Sequence, residues 1–207
     1  MRTTVALLVV LVLSTVSGST AQTEPPSKTH LLMSAGVSLP GSPQLFRDYW
    51  SMGFGGGAGI EYAVGPVASI GGSVEYNGFR FDSEKFLAQF GLGGSGVEVS
   101  GGNISAVVVA ANVKAMLGTT PGVATPYLTA GMGIMSVSSS DVVVTYQGSS
   151  SKTSVDGETA FGITGGAGLE IPAGSAWIFV EAKYGVGFTK GESTGIWPLR
   201  AGLKLAL

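Results

Sequence analysis

The sequence has no cysteine, which excludes disulfides, thiolate metal sites and a lipid anchor on an N-terminal cysteine. Histidine occurs once, as His30, so any mechanism that needs imidazole has a single candidate. Charge is scarce as well. Asp, Glu, Lys and Arg make up 12% of the 207 residues, against roughly 25% in soluble domains. Thirteen acids and eleven bases nearly cancel and form no clustered basic face, so nucleic acid is not an expected partner. Beyond the extreme N-terminus no stretch approaches about 20 consecutive apolar residues, which rules against membrane-spanning helices. What abounds is glycine, with 34 residues in a chain that is 44% hydrophobic. Low charge, much glycine and no spanning helix point together to a β-barrel in a membrane.

The N-terminus reads as an export signal over residues 1–21. Arg2 supplies the positive start, Val5 to Leu13 form an apolar run, and Ser19-Thr20-Ala21 offers small residues for cleavage after Ala21. The apolar run is too short to cross a bilayer. Residues 22–29, with Pro25-Pro26, read as a short lead-in, and residues 30–207 as the barrel.

From His30 onward, period-2 alternation recurs in segments of the length that tilted membrane strands need. Eight strands are expected near 30–40, 51–64, 67–79, 103–117, 126–138, 159–171, 176–188 and 197–207. The joints at Gly65-Pro66, Gly118 to Thr125 and Pro172 to Ser175 are tight. The stretches 41–50, 80–102, 139–158 and 189–196 are longer and more polar. The expected fold is therefore all-β, an eight-stranded antiparallel up-and-down transmembrane barrel. Short turns at one end would be periplasmic, with both termini, and long loops at the other extracellular.

In each strand one parity is apolar and the other small or charged. The seventh sets Ile178, Val180, Ala182, Tyr184 and Val186 against Phe179, Glu181, Lys183, Gly185 and Gly187. A soluble lipocalin-like carrier would turn the apolar parity inward and the polar one to water. Here the polar parity is dominated by glycine with isolated charges, as a crowded lumen requires. On that parity lie Glu61, Glu75, Glu170 and Glu181 with Lys114, Lys183, Arg200 and Lys204, four acids and four bases. They are expected to form a salt-bridged network that fills the lumen, since buried charges persist when paired. A narrow channel lined by the same charges is the alternative, with conductance lost on neutralising Lys114 or Glu181. Tyr62 and Tyr127 near the short turns, and Trp50, Phe188 and Trp197 near the long loops, sit where interfacial girdles are expected.

The chain resembles the small eight-stranded outer-membrane barrels of bacterial envelopes, the OmpA/OmpX-like group. The residues carrying the resemblance are Pro126-Tyr127-Leu128-Thr129-Ala130-Gly131-Met132-Gly133, Gly166-Ala167-Gly168-Leu169-Glu170 and Phe179-Val180-Glu181-Ala182-Lys183-Tyr184, with the terminal Pro198-Leu199-Arg200-Ala201-Gly202-Leu203-Lys204-Leu205. Gly57-Ala58-Gly59-Ile60-Glu61 echoes the 166–170 segment, as in a barrel grown by hairpin repetition. The resemblance implies an outer-membrane location, lipid around the wall and assembly by the barrel insertion machinery. It further implies surface contacts through loops 41–50, 80–102, 139–158 and 189–196. The final Leu207 departs from the aromatic with which such barrels generally end.

No catalytic, cofactor or metal site is expected. Gly91-Leu92-Gly93-Gly94-Ser95-Gly96 matches a dinucleotide-binding pattern in letters, but Val97-Glu98-Val99 follows where a helix should. Asn103-Ile104-Ser105 fits a glycosylation acceptor by coincidence. A hydrolytic barrel would combine His with a carboxylate. His30 belongs to the short-turn end as an interfacial polar residue, and Asp82, Glu84, Asp141, Asp156 and Glu158 to the other end. Phe86, Leu87 and Phe90, behind Asp82 or Ser83 as cap, suit a short amphipathic helix that rests on the outer leaflet or folds over the mouth. The serine-rich 139–158 loop reads as polar and mobile. The function expected is that of a non-enzymatic barrel serving envelope structure or surface interaction.

Overall fold

A computed structural model of the chain describes residues 27–118 and 122–207. The export signal and most of the lead-in lie outside the described residues. Eight strands close into one barrel: β1 (Thr29–Ser42), β2 (Trp50–Ala63), β3 (Ala68–Phe81), β5 (Ile104–Met116), β6 (Thr125–Ser139), β9 (Glu158–Ala173), β10 (Ala176–Gly187) and β11 (Thr194–Ala206). Each pairs antiparallel with its neighbour in the chain order of the barrel, and β1 closes the ring on β11 with His30 opposite Ala206. The strands fall within three residues of the expected ends. Closure leaves the described wall without a free strand edge.

The face assignment follows from the pleat, which sends successive side chains to opposite sides. Phe54, Ile60, Ile70, Val74, Val113, Met132, Phe161, Val180 and Leu199 point outward and are exposed. Phe54 is 72% and Met132 61% exposed, values that water would penalise by about 25 cal/mol per Å² of apolar area. The apolar parity therefore forms the outer wall, and the inward arrangement of a lipocalin-like carrier is overturned.

The long connections are more ordered than the sequence suggests. α1 (Gln44–Tyr49) follows Pro43, and α2 (Ser83–Gln89) is capped by Asp82, whose carboxylate accepts from Lys85 N at 3.1 Å. α2 ends at Gly91, which has φ +68°; Leu92 N donates to Leu87 O and Gly91 N to Ala88 O. That left-handed helix stop explains the first glycine of the dinucleotide-like run. The 139–158 stretch is a hairpin of β7 (Val142–Tyr146) and β8 (Ser149–Thr153), joined to β4 (Val97–Gly101) as a three-stranded sheet beside the barrel. Gln147 and Gly148 both have positive φ, the two-residue turn that matches the twist of a hairpin. A stretch expected to be loop throughout thus contains a paired hairpin.

Candidate functional site

Among the described residues, the lumen is where buried ionisable side chains gather. Alternation places all eight expected residues inside, and they divide into two groups at different heights. The lower group, near the short turns, joins four strands: Glu61 of β2, Lys114 of β5, Glu170 of β9 and Lys204 of β11. Lys114 pairs with Glu61 and, at 2.5 Å, with Glu170; Lys204 lies 2.6 Å from Glu61 and 3.3 Å from Glu170. The upper group comprises Glu75 of β3, Glu181 and Lys183 of β10, and Arg200 of β11. Lys183 lies 2.5 Å from Glu75 and 3.1 Å from Glu181, and Arg200 Nη1 lies 2.9 Å from Glu75. Each group holds two acids and two bases, so each is neutral by itself.

Tyr127 of β6 links them. The Lys114 ammonium sits 4.8 Å over its ring, and its hydroxyl donates to Glu181 at 3.1 Å. Tyr127 is buried inside the barrel, so its expected place in an interfacial girdle is corrected. Its ring fits because β9 carries Gly168 beside it; a Cβ there would collide with the Tyr127 ring and hydroxyl. Gly57 does the same for the upper group, where a Cβ would come within 3.0 Å of both Arg200 and Glu75. Lumen glycines are thus the counterparts of the bulky charged residues across from them.

Other participants escaped the sequence reading. Asn77 accepts from Arg200 Nη2 at 2.8 Å and from the Ser38 hydroxyl at 2.6 Å. His30 is buried in the lower lumen, edge-on to Trp177 at 5.4 Å, with Lys204 5.6 Å over the Trp177 ring. Parity alone could have found Asn77 and Tyr127, which share a strand face with Glu75 and Thr129. His30 is therefore a lumen residue and not an interfacial one.

Between the groups lies a cavity of about 80 Å³, lined by Ser34, Ser73, Asn112 and Lys114 among others. That is room for several waters with polar partners. Above the upper group the lumen changes character. Phe46, Phe79, Ala106, Val108, Ala110, Met135 and Ile196 form a buried apolar cluster, with Trp50, Ile104 and Val137 packed on it. The expectation that the inward parity stays small or charged is corrected here: β3 and β6 turn Phe79 and Met135 inward at the loop end. Trp50 also leaves its expected girdle, donating Nε1 to Gly102 O at 2.8 Å. Tyr62, Phe188 and Trp197 remain exposed near the two ends.

The loop carboxylates are dispersed. Asp82 caps α2, Asp141 pairs with Lys152 at 2.6 Å, and Glu158 accepts from Lys190 N at 2.7 Å. Hydrogen bonds from Lys85 hold the Asp82 carboxyl below its ordinary range, as those from Lys152 and Ser154 do for Asp141. No group of three or more metal-binding side chains is present among the described residues. The lumen thus holds each of its eight charges beside an opposite one.

No family model and no curated protein matches the chain. Solved structures do. Neisserial surface protein A superposes with a TM-score of 0.53 at 15% identity, covering 89% of this chain and 100% of its own. Ail, the attachment invasion locus protein of Yersinia pestis, gives 0.49 at 14% identity over 87% and 99%. The N-terminal β-barrel domain of Pseudomonas aeruginosa OprF gives 0.42 at 16% over 87% and 99%. The likeness shows the fold, that of the small eight-stranded outer-membrane barrels.

Proposed function

We propose that the chain is an integral outer-membrane protein without enzymatic activity, a closed barrel that serves envelope structure or surface contact through its loops. The observation that carries this reading is the inversion of the usual protein interior: exposed apolar side chains girdle the wall while eight charged ones are paired inside. Such a surface is matched to acyl chains. A ladder without an edge suits the same setting. Both ends of the described chain meet at the short-turn end, where Ser27 Oγ donates to Leu207 O at 2.5 Å. In an exported barrel that end faces the periplasm, and the loops with α1, α2 and the β4–β7–β8 sheet face outward.

Two features favour a barrel that does not conduct. The ion pairs span four strands at one height and three at the next, and an apolar cluster closes the loop end. An interior of eight strands is filled by side chains of this size. Electrophoresis of the detergent-folded protein with and without boiling, alongside membrane fractionation, tests the reading. A faster unboiled band that follows the outer membrane is the expected result. A soluble periplasmic protein without a heat shift would overturn it.

A further inference from the structure

The outer wall is not uniformly bulky. Where β2, β3, β5 and β6 run side by side it carries a groove of about 640 Å³, within the range of roughly 300–1,000 Å³ that small-molecule sites occupy. Its floor is Gly72, Ala111 and Ala130, all exposed on the outward parity. Gly72 lies opposite Ala111 in the β3–β5 ladder, and Ala130 is one diagonal step away, opposite Val113. Ile60 faces Gly72 from β2 and Met132 faces Ala111 from β6, so bulky side chains stand at both ends of that row. Ile70 and Val113, paired in the neighbouring row, bound the floor towards the short turns.

The barrel itself does not require the floor to be this low. Gly72 has no positive φ, and a Cβ built on it would meet only Ala110 O, at 3.8 Å. The adjoining Gly71 is the contrast, since a Cβ there would strike the backbone of Ile60 and Glu61. Strand packing therefore explains Gly71 and leaves Gly72 unexplained. A bare backbone lets another apolar surface approach closely, and in hydrocarbon such van der Waals contact is what holds partners together.

No charged side chain lines the groove. Asn112 borders it through its backbone only, because its amide donates to Ser73 Oγ at 2.9 Å on the lumen side. The polar atom that the groove does have is the hydroxyl of Tyr62, an exposed ring in the last turn of β2 before the Gly65-Pro66 joint. Tyr62 lies opposite Ile70, diagonally below Gly72 and with Ile60 beside it. Rings at such a level meet the headgroup layer of a bilayer.

We propose that this groove seats one acyl chain of a glycerophospholipid from the leaflet at the short-turn end, with the Tyr62 hydroxyl donating to its glycerol ester and the chain lying over Gly72 and Ala111. The inference rests on the membrane reading and deepens it, by naming a lipid class and a place on the wall where it is held. The groove is continuous with the apolar wall that acyl chains cover in that reading, so its occupant comes from the same source. Tyr62 gives it a polar end, which a lipid uses and the apolar wall of a second copy does not.

The test folds the full barrel into phosphatidylethanolamine vesicles, extracts it in mild detergent, washes away excess lipid and weighs it by native mass spectrometry. The parent is expected to retain a single phospholipid. Gly72→Leu fills the floor, and because its added atoms point into open space it should fold and lose that lipid. Ala201→Leu enlarges an exposed small residue of β11, outside the groove, and should keep it. A parent that carries no lipid, or a folded Gly72→Leu that retains it, overturns the site. Equal loss from Ala201→Leu overturns it too, because the lipid is then a general coat. A dimer that Gly72→Leu abolishes overturns it in favour of a second copy in the groove. If Gly72→Leu shows no heat shift, Ala130→Leu fills the same floor from β6 and decides in its place. A parent without a heat shift fails the membrane reading itself, whereas the other outcomes leave that reading standing.

Discussion

The two halves of the lumen solve the same packing problem with opposite chemistry. In the lower half, eight charges are held by short ion pairs; in the upper half, aromatic and aliphatic side chains fill the same width. The lower solution depends on partners. Each Lys or Glu there costs several kcal/mol to bury, and the cost is offset only by geometry. The upper solution depends on volume, and any hydrophobic group of similar shape serves. The difference teaches where each half is fragile: the lower to the loss of one partner, the upper to the loss of one side chain's bulk.

The largest effect is expected from Lys114→Met, which leaves Glu61 and Glu170 short of a partner and removes the ammonium from the Tyr127 ring. A loss of about 3–5 kcal/mol is expected for a broken buried pair, read as a lowered urea midpoint for the heat-modifiable band. An unshifted midpoint would mean that Lys204 alone satisfies both carboxylates. Met135→Ala tests the upper half, with an expected loss of about 2–5 kcal/mol from transfer and cavity terms. It should be relieved by Met135→Leu, whereas no neutral isostere should rescue Lys114. Tyr127→Phe sharpens the link between the groups. Removing a hydroxyl bonded to a carboxylate should cost about 1.5–3 kcal/mol, and a double-mutant cycle with Glu181→Gln should show coupling. Additive losses would remove the bridging role.

The smallest effect concerns the rim. The Asp82 carboxyl is held low by Lys85, so its support for α2 is complete above the ordinary carboxylate pKa. That support fades as pH falls through the depressed folded value. Amide exchange over residues 83–89 should therefore accelerate in acid, and Asp82→Ala should produce the same acceleration at neutral pH. Equal exchange in the variant and the parent at neutral pH would show that the cap contributes nothing. Because Lys85 and Lys152 are largely exposed, their pairs should weaken with salt, while the lumen pairs should not.

Much of this was readable from the sequence because a barrel strand has a strict period of two. Strand positions, closure and the inward location of all eight charges follow from alternation between turn residues. Pairing does not. Nothing in the order of letters places Lys114 between Glu61 and Glu170, because the pairs come from ring closure and strand stagger. The apolar end was missed for a related reason. Phe79 and Met135 lie on the inward parity, yet their hydrophobicity matches what the outer wall also uses, so composition cannot tell the two faces apart there. Phe46 was beyond reach altogether, since its burial depends on where a short helix lands. The β7–β8 hairpin had a readable turn in Gln147-Gly148, hidden by the serines around it.

The seam between β1 and β11 has a further consequence, for the order in which the molecule assembles. Its two strands are separated by nearly the whole chain, with Leu31 opposite Leu205 and Val37 opposite Leu199. Every other seam joins segments adjacent in the ring and nearer in sequence, so this contact carries the largest loop-closure entropy. It is slow to form, by the general link between contact separation and rate. Until it forms, β1 and β11 each present an unpaired edge, and in hydrocarbon each open group is costly. In the membrane setting proposed for the barrel, insertion and closure are therefore expected to be one event. A folding intermediate would be a sheet waiting for its last zip, and the residues that decide whether it waits safely are those of its first and last strands.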